Sequence, residues 1–241
     1  MIYEEKWGYD KSPILIVGDS PTETVDNVEK AIDPNHYIYN SIIVPIKYYT
    51  NEYLIKNYKC KLPYDFNNRT DIFKFINAVD NGGKKKGLDT KESYDLRKLD
   101  KLKDEIVDKD KKQFRYKVVI CMGDFAYFAV KAVLGKFHEG EKREYPQNED
   151  ALYSIKELGE IFYKNSAIKK CNKDIYILPV LHNISNRCDD VLKIYNFIPE
   201  EVRKNKKYTN YFNFIGERLG EVLIAVTDKE EKYADYLAPI M

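Results

Sequence analysis

"PILIVGDSPTETVDN", residues 13–27, decides the fold. The apolar run Ile14-Leu15-Ile16-Val17 stops at Gly18-Asp19-Ser20-Pro21, and a polar segment that starts like a helix follows. This is a strand that delivers its C-terminal end into a tight loop, and in open α/β sheets ligands bind at such ends. Three more segments share its character: Tyr39–Pro45 ("YNSIIVP"), Lys117–Met122 ("KVVICM") and Ile175–Leu181 ("IYILPVL"). Each is short, β-branched or aromatic, and apolar on both faces, as in a parallel sheet covered by helices. Helical stretches are expected at Thr22–Ala31, Arg69–Val79, Phe125–Leu134, Ala151–Tyr163 and Tyr208–Val226. Right-handed crossovers then give an α/β fold, a three-layer αβα sandwich with a four-stranded, mostly parallel central sheet.

With 241 residues, 44% of them hydrophobic, the chain can build one sizeable core, and residues 1–241 read as a single domain. The stretch at about 81–116 differs: it opens "NGGKKKG" and continues with dense alternating charge. It is expected to be a charged insertion, a turn followed by a solvated helix. Phe137–Asp150 reads as a loop. The 40 basic and 39 acidic residues nearly cancel, so total charge does not announce a nucleic-acid binder, although a basic face is compatible with balance.

Cys60, Cys121, Cys171 and Cys188 are widely spaced, with no CxxC and no Cys/His pair at zinc spacing, so neither a disulfide framework nor a metal site is expected. No apolar run approaches the ~18–20 residues of a membrane span. The opening "MIYEEKWGYDKSP" lacks the apolar core of a signal peptide. The expectation is a soluble, cytoplasmic protein with no membrane contact.

Chemistry gathers at the strand ends. The first ends in Gly18-Asp19-Ser20-Pro21, the second contains Asn40, the third runs into Gly123-Asp124, and the fourth into His182-Asn183-Ile184-Ser185-Asn186-Arg187. If the strands are parallel, these groups share one rim, where a site assembles.

Two families resemble parts of this pattern. "GDSPT" is similar to the first block of the SGNH (GDSL-type) hydrolases, which implies Ser20 as nucleophile. That chemistry needs a histidine base oriented by an aspartate. The residue three before His182 is Pro179, and the only DxxH, Asp33 to His36, follows the serine block almost directly, so the resemblance stops at one motif.

The four strand ends together resemble the uracil-DNA glycosylase superfamily. Gly18-Asp19-Ser20-Pro21 matches its G-x-x-P loop, and Asn40 in "YNSIIVPIKYY" matches a second-strand Asn that reads the base edge. Asn68-Arg69 matches an Asn-Arg pair of the iron–sulfur branch, and "VVICMGDFAYFAVKAVLG" is similar to a strand–Gly–x–x–Ala–helix segment. His182, with Ser185 and Arg187, stands for the final HPS-type motif. The matches keep the family's order over residues 14–187. The cluster cysteines of the iron–sulfur branch are absent, and no cofactor is expected.

The resemblance implies a monofunctional DNA glycosylase that flips a base out of DNA and hydrolyses its N-glycosidic bond, acting as a monomer. Asp19 and His182 are the catalytic candidates: a carboxylate to stabilise the sugar cation or activate water, and a donor to the departing base. Which of Asp19 and Ser20 fills the water-activating position is left open. Gly18 and Asn40 would bind the base; Ser20, Pro21, Ser185 and Arg187 would grip the DNA backbone. Ser20 before the proline and His-Asn-Ile-Ser in place of His-Pro-Ser depart from the family pattern. They imply a pocket shaped for uracil, a damaged pyrimidine, or modified cytosine of phage DNA. The alternatives are a serine hydrolase using Ser20 and an inactive member that only binds nucleic acid.

Overall fold

Every residue of Ile14–Gly18 is buried, and because successive side chains point to opposite faces, both faces of this strand, β1, are covered. The same holds for Val118–Met122 and Tyr176–Val180. The computed structural model describes residues 12–18, 39–65, 70–71, 73–78, 99–108, 110, 113–136, 152–167, 175–181, 196–204, 210–228 and 237–240. Their strands, in chain order, are β1, β2 (Cys60–Lys61), β3 (Tyr64–Asp65), β4 (Thr70–Asp71), β5 (Phe73–Asn77), β6 (Val107–Asp108), β7 (Gln113–Phe114), β8 (Val118–Met122), β9 (Tyr176–Val180) and β10 (Ala238–Pro239). The helices are α1 (Val44–Tyr58), α2 (Asp100–Ile106), α3 (Asp124–Leu134), α4 (Ile155–Asn165), α5 (Glu200–Lys204) and α6 (Tyr211–Thr227). The central sheet has the order β5-β1-β8-β9, and all three pairings are parallel. The α/β architecture with a four-stranded parallel sheet thus stands.

Two segments exchange roles relative to the sequence reading. Tyr39–Pro45 is not a strand: Tyr39–Ile43 is a π-helical turn that runs into α1. Pro45 sits in the first turn of α1, where its missing N–H costs nothing. Ile42, Ile43, Ile46, Thr50 and Leu54 are buried at helical spacing. Conversely, Arg69–Val79 is not a helix; Phe73–Asn77 is strand β5, pairing with β1 from Ile14↔Phe73 to Gly18↔Asn77. Phe73 and Phe75 alternate with Lys74, a period of two that a helical count of the same apolar residues obscures. Thr22–Ala31 and Phe137–Asp150 lie outside the described residues.

The charged insertion is less solvated than its composition suggests. Leu99, Leu102, Glu105 and Ile106 are buried, so α2 turns an apolar stripe inward and lays Glu105 beside Lys74 of β5. A hairpin, β6 with β7, then leads to buried Tyr116. Residues 81–98 lie outside the described residues.

The expected helices at 125–134, 151–163 and 208–226 are present as α3, α4 and α6 with shifted ends. Helix α4 opens with a capping box: Ser154 Oγ accepts from the Glu157 N–H at 3.2 Å, and the Glu157 carboxylate accepts from the Ser154 N–H at 2.7 Å. The Ser154 hydroxyl, which also donates to this carboxylate at 2.7 Å, and the Ser154 N–H hold the Glu157 carboxyl below its usual range. Helix α3 packs on β8 and β9, and α4 on β9. Helix α6 lies against α1, with Gly216 beside Tyr49 and Thr50 and Gly220 beside Tyr53, so the two helices run in the same direction. No helix among the described residues is long and apolar enough to cross a membrane.

Candidate active-site rim

Parallel pairing brings the C-terminal ends of β1, β5, β8 and β9 to one edge of the sheet. Gly18 stands opposite Asn77 in register. Val17 is level with Cys121, and Cys121 with Pro179, so the ends of β1 and β9 face each other across two strand spacings, about 10 Å. The chain leaves β1 for its neighbour β5, then crosses to β8 on the other side of β1. The edge beside β1 and β8 is therefore the topological switch point, the position where open α/β sheets hold their ligands.

Backbone bonds fix this edge. Gly18 C=O accepts from the Ala78 N–H at 2.8 Å, and the Gly123 N–H donates to Val180 C=O at 2.8 Å. Gly123 makes the turn from β8 into α3 with φ 95° and ψ 176°, a region open essentially only to glycine. Asp124, the first residue of α3, accepts from the Leu152 N–H at 2.9 Å and the Tyr153 N–H at 2.7 Å. Its carboxylate thus ties the chain ahead of α4 to the rim.

Tyr211 holds the end of β9. Its hydroxyl accepts from the Leu181 N–H at 2.7 Å, one residue before His182. The Tyr211 side chain is fully buried, which pushes its phenol well above the ordinary range and keeps it neutral. Replacing Tyr211 with Phe removes the acceptor and leaves a buried N–H unpaired, at a cost of about 1–3 kcal/mol. Calorimetry is expected to show Tm falling by roughly 3–10 °C. A melting curve superimposable on the parent's would mean that Leu181 finds another acceptor.

Of the residues singled out from the sequence, Gly18 sits at the end of β1, at the rim. Asn40 lies in the π-helical turn before α1 and not in a strand. Asp19, Ser20, Pro21, His182, Ser185 and Arg187 lie outside the described residues, as does Asn68-Arg69. The strands that carry the first and last of these groups, β1 and β9, are in place. Asn77 was missed. The signal for it was the alternation in "FKFIN", which ends on an amide residue just where the run stops. Among the described residues, no cluster of His, Cys, Asp and Glu is arranged to hold a metal. The chain matches no family model and no curated protein.

Proposed function

We propose that the chain is a DNA glycosylase whose site lies at the C-terminal edge of the sheet, over β1 and β8. The observation that carries the reading is the alignment of Gly18, Asn77 and Leu181 at one edge, with Asp19 and His182 following directly in the chain. Strand ends about 10 Å apart leave room for one extruded nucleoside between the groups they carry. Asp19 then stabilises the developing sugar cation or directs water, and His182 donates to the departing base anion. An amide offers a donor and an acceptor together, so it can read a pyrimidine edge. Asn77, on the strand paired with β1, takes this role in preference to Asn40. Ser20, Pro21, Ser185 and Arg187 hold the flanking phosphates.

The test is base release from DNA carrying uracil, hypoxanthine, 5-hydroxymethylcytosine or its glucosylated form, in single and double strands, with abasic sites revealed by alkaline cleavage. Asp19→Ala and His182→Ala are expected to slow release by ~10²–10⁴-fold. Asn77→Ala is expected to change the preference among bases, and Asn40→Ala to leave it unaltered. Salt-sensitive DNA binding without release of any base would reduce the protein to a binding module. Ester hydrolysis lost in Ser20→Ala, with no base release, would move it to the serine hydrolases.

A further inference from the structure

A cavity of about 750 Å³ lies between α4, the chain at 199–201 and α6, within the ~300–1,000 Å³ usual for small-molecule sites. Glu160, Tyr163 and Lys164 line it from α4, at the three- and four-residue steps that share a helix face. Arg218 and Glu221 line it from α6. Arg218 reaches Ser166, the neighbour of Asn165, whose Nδ2 donates to Ile177 C=O at 3.0 Å. Ile177 is the second residue of β9, so this end of the cavity lies toward the edge of the sheet opposite the rim.

Arg218 is fixed before any ligand arrives. Its Nε donates to Ser166 Oγ at 3.0 Å and its Nη1 to Glu221 Oε2 at 2.6 Å. The guanidinium carbon lies 5.1 Å from the Tyr163 ring centre, and the side chain is 13% exposed. A guanidinium held in this way loses little freedom on binding. Its Nη2 donates to none of the described residues and is left for a ligand.

The lining carries both signs of charge. Lys156, Lys164 and Arg218 share it with four glutamates. Glu221 is committed to Arg218, and Glu200 to Lys204, 2.8 Å away. Lys164, Glu160 and Glu201 make no ion pair among the described residues. A phosphate would meet the four carboxylates, and a simple cation the three basic groups, so each is opposed. A ligand with one charge of each sign escapes both penalties. Glu160 stands one helical turn, ~5 Å, before Tyr163, on which Arg218 rests. That distance matches the amino and carboxyl ends of one or two residues of extended chain, at ~3.5 Å each.

We propose that this cavity binds a small zwitterion, a free α-amino acid or a dipeptide. Arg218 Nη2 and Lys164 take its carboxylate, and Glu160 and Glu201 take its ammonium. All of these are charge-assisted hydrogen bonds, the strong class. The remaining volume holds the side chain. The site needs no DNA and works apart from the rim.

Isothermal titration of the full chain with the common amino acids, Gly-Leu and Leu-Gly is expected to show saturable binding of at least one. Acetylating its amino group or amidating its carboxyl group is expected to weaken binding at least about tenfold. Lys164→Gln and Glu160→Gln are each expected to do the same, with Tm of the ligand-free protein within about 1 °C of the parent's. Arg218→Lys keeps the charge but loses the fork, and is also expected to weaken binding. No binding across the panel overturns the proposal, as does binding that survives both caps or both glutamine substitutions. Saturable binding of inorganic phosphate, lost in Lys164→Gln, would also overturn it and make the cavity an anion site.

Discussion

Gly159→Ala is expected to lower Tm by about 6–12 °C, corresponding to a loss of about 3 kcal/mol. A Cβ added to Gly159 would stand 1.6 Å from the Phe197 carbonyl oxygen and 2.5 Å from its carbon. The obstacle is backbone, so no side-chain rotation relieves it. Either α4 lifts from its seat or the chain at Phe197 withdraws, and overpacking of this kind typically costs 1–3 kcal/mol, occasionally more. Phe197 is the hub of an aromatic cluster, 5.1 Å from Tyr211, 5.9 Å from Phe162 and 6.4 Å from Phe214 between ring centres. Displacing it loosens Tyr211, and with it the hold on Leu181 at the rim. Under the proposed function, base release is therefore expected to fall at temperatures where the fold is still intact. A shift in Tm below 2 °C would show that the Phe197 segment yields without cost.

Lys74→Met is expected to destabilise by about 3 kcal/mol, as much, although Lys74 is level with Leu15 rather than with the strand ends. Lys74 Nζ lies 2.8 Å from Glu105 Oε1, with the two side chains only 12 and 8% exposed. The Tyr116 hydroxyl donates to the same carboxylate, and the ammonium lies 5.9 Å from the Tyr116 ring centre. Removing the cation takes from a desolvated carboxylate the ammonium that lies 2.8 Å from it. The double variant Lys74→Met/Glu105→Gln is expected to recover at least half of the loss. Its amide oxygen still accepts from Tyr116, and no charge remains to be buried. Urea midpoints at constant slope measure both changes. A double variant no more stable than Lys74→Met would show that the cost lies in packing around the lysine stem.

The sheet's inner strands were legible because burial on both faces writes an uninterrupted apolar run. Ile14–Val17, Val118–Met122 and Tyr176–Val180 end within a residue of where the runs end. The fourth strand was not legible in that way. At the edge of the sheet among the described residues, β5 has a single partner there and admits Lys74, which finds Glu105 from a helix about thirty residues on. Meanwhile the π-helical turn before α1 buries Ile42 and Ile43 side by side and imitates a strand. The rim followed from chain direction alone, since parallel strands must end together. Its membership did not: the pairing of Gly18 with Asn77 joins residues that no local pattern relates.

The position of β1 in the sheet also sets a schedule for synthesis. It is the first of the described strands to leave the ribosome, yet it is flanked by β5 and by β8, whose last residue is Met122. At ~5–20 residues per second, a fully apolar strand waits roughly 5–20 s before both edges are covered. Native pairing then has to close loops of about 60 and 100 residues, which is slow compared with local helix formation. A strand that ends buried on both faces thus stays exposed for long while the chain is being made.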